Sequence, residues 1–372
     1  MATVKLIKSA KGSPAGQNFA GDVRLHTTVC YDFVVSLRAM FNPRTFATSR
    51  GWAAAQLPKL GASVAQKGEF FFAGFDTALG YGAARVTQSL SDEALPGDLI
   101  EALKVMPATE LAMFMLDTGE TSKDRLAMFA QALGGGSAKV DAALRGLPEG
   151  WQARCRRVLR EPETARSDLV EVLETHLAEI YGDHTRAIEA SIDETTPTAL
   201  KTLQLLPAFE AIERLTGGYT LGSDLGLQRI TMAPSVFIHP YMSARVDEEA
   251  GEALIVFGVP SGIFESYQPE PIQGEVMLAL KAMADPSRLT VLRMLARQPL
   301  YTTQIVQRLH LAQTTVHHHL AQLRAAGLVR QERDRHGMRY SIRRESAIHV
   351  VRSLEDWVLD TNPDVSTKED RQ

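Results

Sequence analysis

The chain has 372 residues, of which 45% are hydrophobic and 23% charged. These values exclude a wholly disordered, collagen-like or coiled-coil polypeptide and, at roughly 150 residues per domain, favour two or three domains. The net charge is −4, but it is unevenly spread: Val276–Arg352 holds thirteen Lys and Arg against four Asp and Glu, a net of +9, so the remainder carries −13. A compact basic module on an acidic body points to a polyanionic partner for the module alone.

No run approaches the ~18 apolar residues that would span a bilayer, and the first twenty residues are too polar for a signal peptide. The expected setting is the cytoplasm, without membrane association. Cys30 and Cys155 lie too far apart to suggest a disulfide framework or a zinc site.

Residues 1–21 are small and polar and read as a mobile tail. Residues 22–260 read as a first domain, mostly helical up to about Thr216. Phe33, Val34, Leu37 and Met40 share one helical face, and Leu169, Leu173, Leu177 and Ile180 form a stripe on a helix over about 163–181. Gly134-Gly135-Gly136-Ser137 is a break between shorter helices. Beyond Gly217-Gly218 the residues turn β-branched and aromatic: Tyr219–Leu221, Leu227–Ile238 and Ala253–Val259 predict a short antiparallel sheet that closes this domain. Residues 261–274 carry Pro269, Pro271 and two glycines, with Pro260 at their edge, and read as a linker. Residues 361–372 form a polar tail.

Residues 275–360 predict a tighter pattern. A short apolar helix over 277–283 stops at Asp285-Pro286, where Asp285 caps a second helix and Pro286 takes its first position. Thr302-Thr303 opens a third helix, His310-Leu311-Ala312 is a tight turn, and a fourth helix over 313–325 buries Val316, Leu320 and Leu323 before Gly327 ends it. Two strands follow, joined at Asp334-Arg335-His336-Gly337, with a basic tip and flanks. Helix, short turn, helix and basic hairpin make a winged helix-turn-helix.

In such a module the fourth helix enters the major groove of DNA. Its exposed face offers Gln313, Thr314, Thr315, His317 and His318, with Arg324 further along near the backbone. Gln313 has the donor-acceptor pair to read adenine. Arg333, Arg335, His336 and Arg339 on the wing are placed for phosphate or minor-groove contact, and Thr302 and Thr303 at a helix N-terminus suit a phosphate. For His319, packing within the fold and contact with DNA stay equally open. The final helix, over 346–360, carries Ile348, Val351, Leu354, Trp357 and Val358 on one face, a stripe too large for a lone module to bury.

Met283-Ala284-Asp285-Pro286-Ser287-Arg288-Leu289, Thr315-Val316-His317-His318-His319-Leu320 and Leu323-Arg324-Ala325-Ala326-Gly327-Leu328-Val329 resemble the ArsR/SmtB group of bacterial repressors. The resemblance covers about 80 residues. It implies a homodimer paired through terminal helices, two recognition helices about one DNA turn apart, and repression of transcription by promoter occlusion. His317 and Ala312 stand where the group commonly has serine. The group's metal-sensing Cys-x-Cys pair is absent, since Tyr301-Thr302-Thr303-Gln304 occupies its place. His317, His318 and His319 point ~100° apart on a regular helix and cannot ligate one ion.

No metal or cofactor is therefore expected. Nor is catalysis: Walker A, HExxH, G-x-S-x-G and CxxC patterns are absent, Gly80-Tyr81-Gly82 reads as a turn, and His176 as a core histidine. The expected protein is a transcriptional regulator whose first domain binds a small-molecule effector or a partner. A fused enzyme, a ligand-independent dimerisation scaffold and a non-specific DNA binder are the alternatives.

Overall fold

The computed structural model describes residues 7–8, 19–43, 45–46, 48–74, 78–118, 121–267 and 274–358. It divides the chain into two compact, interleaved units: Met1–Ser9, Ala20–Gln204 and Leu227–Pro269 form the first, and Ala10–Phe19, Leu205–Gly226 and Glu270–Gln372 the second. The sequence reading had placed Leu205–Gly226 in the first domain. Its three-residue strand carries no pairing information of its own, and the partner it takes is about 110 residues away.

The first unit begins with strands β1 (Ile7–Lys8) and β2 (Asp22–Leu25). Then come helices α1 (Cys30–Phe41), α2 (Arg50–Gln56), α3 (Gly61–Phe72), α4 (Ala83–Thr87), α5 (Pro96–Val105) and α6 (Ala108–Leu116). They are followed by α7 (Lys123–Ala132), α8 (Ser137–Leu144), α9 (Glu149–Arg160), α10 (Pro162–Glu179) and α11 (Thr185–Leu205). The chain then passes into the second unit as α12 (Ala208–Leu215) and β3 (Tyr219–Leu221). It returns as β4 (Arg229–Ser235), β5 (Met242–Asp247) and β6 (Glu252–Gly258).

The sheet of this unit has the order β1-β2-β4-β6-β5. Its centre is parallel, with β2, β4 and β6 running together, and antiparallel pairs lie at both edges. The short antiparallel sheet expected from sequence is thus a larger mixed one. The reason is visible in β4 and β6, whose residues are buried almost without alternation, as befits strands covered on both faces. Residues 7–8, expected within the mobile tail, pair with β2. The remaining described residues of that tail begin at 19; residues 361–372 and residues 268–273 of the expected linker lie outside the described residues. Within that linker Gly262–Tyr267 forms a 3-10 helix.

The helical core follows the apolar spacing. Every residue of α1 from Cys30 to Met40 is buried. The striped helix, α10, packs against α3, α5 and α6. His176 on α10 is fully buried, stacked on Phe33 at 5.4 Å and bonded through Nε2 to Ser36 Oγ at 2.7 Å. Burial pushes it down to about 3, so it is a neutral core histidine. Gly82 lies where an added Cβ would meet the backbone of Phe114 at 2.6 Å, so that glycine serves close packing.

Asp32 of α1 ties this helix to the end of β4. Its Oδ1 accepts from Ser235 Oγ at 2.5 Å, from the Val236 N–H at 2.6 Å and from the Phe237 N–H at 3.2 Å, while Oδ2 accepts from the Tyr181 hydroxyl at 3.3 Å. Burial pushes its carboxyl up to about 6 against the lowering effect of these four bonds.

The second unit adds α13 (Gly274–Met283), α14 (Pro286–Leu295), β7 (Leu300–Tyr301), α15 (Thr302–Leu309) and α16 (Gln313–Ala325). It ends with the wing strands β8 (Val329–Asp334) and β9 (Gly337–Ile342) and with α17 (Arg344–Val358). Asp285 caps α14 by accepting from the Arg288 N–H at 2.9 Å, and Pro286 takes the first helical position. One apolar core joins the five helices to the sheet, with Val291, Leu295, Ile305, Val316, Leu320, Leu323 and Val329 at its centre.

Asp32→Ala, which leaves the Ser235 hydroxyl and the Val236 and Phe237 N–H groups without their acceptor while Tyr181 keeps the Val29 carbonyl, is expected to cost the first unit about 3 kcal/mol or more in urea unfolding. Asp32→Asn keeps most acceptors and costs much less. Because the folded carboxyl binds its proton more tightly than an unfolded one, Asp32 adds stability as pH falls from about 7 through 6. The asparagine variant is expected to lack that increment when unfolding is compared at pH 7 and pH 5.

Candidate nucleic-acid interface

The helix pair that would meet DNA is built as its residues require. His310 adopts a left-handed conformation at φ 54°, which ends α15 and redirects the chain. Ala312 supplies no side-chain cap, and α16 starts without one. Burial of Val316, Leu320, Leu323 and Arg324 fixes the rotation of α16. That rotation leaves Gln313, Thr314, Thr315 and His318 exposed and His317 half-buried. Gln313 Nε2 lies 3.4 Å from His317 Nε2.

His319 is turned toward α14. It is half-buried, and burial holds it below the usual histidine range, with Asp285 raising and Arg288 lowering it less strongly. His318 is also held low, by burial first and then by His319 and Arg288. Both are neutral at pH 7.

Two of the sequence-assigned contacts are corrected by the structure. Arg324 is only 4% exposed; its Nη1 donates to the Thr216 carbonyl at 2.9 Å. Its place on the inward face of α16 takes it away from any phosphate. Thr302 is 7% exposed and its hydroxyl donates to the Met338 carbonyl at 3.3 Å, which closes the expected threonine pair. Thr303 is exposed at the start of α15.

The hairpin has the predicted tip. Asp334 pairs with Gly337, and Arg335 and His336 form the two-residue turn. Both are exposed, whereas Arg333 and Arg339 are half-buried. Arg339 is ion-paired with Glu332 at 3.0 Å. Asp334 accepts from the Tyr301 hydroxyl at 2.8 Å and from the His336 N–H at 2.8 Å, fixing the tip.

The sequence predicts a two-stranded wing; the structure adds β7 and β3 to it. β3 pairs in parallel with β8, giving the order β3-β8-β9-β7. The Gln331 N–H donates to the Gly218 carbonyl and the Gly222 N–H to the Arg333 carbonyl, each at 2.6 Å. Glu213 of α12 pairs with Arg330 at 2.9 Å, and Asp224 accepts from the Arg335 N–H at 3.1 Å. Gly218, at φ 119°, would bring a Cβ within 3.0 Å of the Val329 carbonyl. The glycines around β3 were the available signal, since a glycine at a strand end marks close backbone approach.

The face of α17 turned outward carries Ile348 and Val351, 52% and 59% exposed, and α13 beside it exposes Met277 at 38%. Leu354 is half-buried. The side chains of Trp357 and Val358 lie outside the described residues. Among the described residues no cluster of three potential metal ligands occurs.

Two comparisons bear on this unit. The family model described as "Bacterial regulatory protein, arsR family" matches residues 285–331, from the cap of α14 into β8. The nodulation protein NolR of Rhizobium meliloti is 30% identical over 89 residues, spanning 24% of this chain and 73% of that relative.

Arg324→Met leaves the Thr216 carbonyl without this donor and is expected to cost the second unit about 2–3 kcal/mol in chemical unfolding. Arg335→Ala, at an exposed tip, should stay within about 0.5 kcal/mol of the parent in the same measurement.

Proposed function

The chain belongs to the ArsR family of bacterial regulatory proteins through its C-terminal unit, and from that premise we propose that it is a sequence-specific, DNA-binding transcriptional repressor acting as a homodimer in the cytoplasm. The observation that carries the proposal is the exposed face of α16, Gln313, Thr314, Thr315 and His318, standing beside a wing whose tip presents Arg335 and His336. Side chains of these types on a helix narrow enough for the major groove read base edges, and a basic wing tip meets phosphate.

Dimer formation is supported by Met277, Ile348 and Val351, an apolar surface on α13 and α17 that a second copy would cover. Two wings related by a two-fold axis then meet an inverted repeat. No described helix is long and apolar enough to cross a membrane. The first unit is assigned effector binding rather than catalysis. It holds a cleft of about 560 Å³ with Lys67, Glu69, Phe70, Arg154 and Arg157 in its lining, where Lys67 and Arg157 are ion-paired with Asp168, a setting for a small polar effector. Such an effector would act by binding one DNA-binding state better than the other.

Sheared genomic DNA retained by the full chain at ~150 mM salt, where non-specific phosphate binding is weak, should yield a few enriched inverted repeats. Uniform recovery would replace this reading with a non-specific DNA binder. On an enriched site, Gln313→Ala and His317→Ala are expected to lower discrimination between bases. Arg335→Ala should weaken all sequences alike and reduce the slope of log affinity against log salt by about 1.

A further inference from the structure

His318 is the most outward histidine of α16. Residues on a helix advance by about 100°, which sets it roughly opposite the buried face of Val316, Leu320, Leu323 and Arg324. Its Nε2 lies 2.9 Å from Gln322 Nε2, and Gln322 Oε1 lies 2.5 Å from Arg288 Nη1. Arg288 is itself anchored at the C-terminal end of α13. Its Nε donates to the Ala282 carbonyl at 2.5 Å, its Nη2 to the Lys281 carbonyl at 3.1 Å, and Asp285 stands 3.8 Å away.

The chemistry of these groups fixes every proton in the row. A guanidinium only donates, so the amide atom facing Arg288 must be the oxygen. The other end of Gln322 is then its NH2, which also only donates. His318 Nε2 must therefore accept, and the neutral ring carries its proton on Nδ1. Protonation of Nε2 would set two donors against each other. No other hydrogen bond to His318 is made among the described residues.

We propose that Arg288 and Gln322 hold His318 as the neutral Nδ1–H tautomer, so that the recognition helix presents one fixed donor to an acceptor on a base edge. In the major groove the acceptors are guanine O6 and N7, adenine N7 and thymine O4, whereas cytosine offers a donor and is refused. The inference rests on the DNA-binding reading above and adds Arg288 and Gln322 as positioning residues that never touch DNA themselves. The charged or titratable groups that act on His318 are Arg288 on α14 and His319 on its own helix, with His317 next to it in the chain. Arg288 and His319 both disfavour its imidazolium.

The lock is tested without DNA, in the full chain carrying 15N-labelled histidine, by two-bond proton-nitrogen NMR correlation. The expected result is a single Nδ1–H tautomer for His318 with a titration below the ordinary ~6.5. Gln322→Glu replaces the donor with a carboxylate, so the ring should move its proton to Nε2 and titrate higher. Gln322→Met should give a mixture of tautomers. An Nε2–H ring or a mixture in the parent overturns the lock.

Its use is tested by selection from random-sequence DNA at pH 7.5. Both variants should lose about 3- to 10-fold discrimination at one base pair per half-site and keep the rest. Unchanged preference at every position overturns the role in reading. A parent that selects no sequence at all removes the DNA-reading premise instead, and the NMR result still decides whether the tautomer is held.

Discussion

A buried guanidinium must find hydrogen-bond acceptors, and in the second unit that demand from Arg324 organises everything around it. The side chain leaves the inner face of α16 and reaches the Thr216 carbonyl, at the end of α12. A cation at the C-terminal end of a helix satisfies an orphan carbonyl and matches the sign of the helix dipole. Thr216 is followed directly by Gly217 and Gly218, both at positive φ, which turn the chain into β3. The bond therefore sets where β3 starts, and with it the register of the parallel pairing on β8. Recognition helix and wing are thus referenced to one point.

The same organisation changes the meaning of the basic charge. Of the thirteen bases between Val276 and Arg352, Arg324 is buried, Arg330 faces Glu213, Arg339 faces Glu332, and Arg288 is bonded to two carbonyls and an amide. Fixed arginines such as these hold the fold of the unit. Of the bases left exposed, Arg335 stands at the hairpin tip and Lys281, Arg293, Arg297, Arg308, Arg344 and Arg352 lie elsewhere on the unit, while the outward face of α16 carries polar side chains and no Lys or Arg. Net charge steers approach, and geometry selects the contact.

The local grammar of the second unit was plain in the sequence. Asp285-Pro286 marks a helix start, Gly327 a left-handed end and Asp334–Gly337 a two-residue hairpin, and all three stand where expected because each depends on residues within one turn of chain. What escaped was long-range. The parallel partner of Tyr219–Leu221 lies on the far side of a whole sheet in sequence, and alternation within three residues specifies no neighbour. Arg324 and Thr302 read as DNA contacts because their types suit phosphate, yet helix rotation placed one beneath α16 and the other under β9. The parallel centre of the first sheet was hidden similarly: a run buried on both faces shows apolar content but not strand direction.

The wing of this protein is assembled from two stretches of chain that lie on either side of a return to the first unit. Gene fusion normally moves a DNA-binding module as one contiguous cassette. A recombination event that carried away only residues 270–372 would take a three-stranded wing with the β8 edge stripped of its parallel neighbour, an open template for pairing with other chains. The two halves of this polypeptide are therefore bound to be inherited together, and shuffling can replace the partner of this wing only by supplying another strand to sit on it.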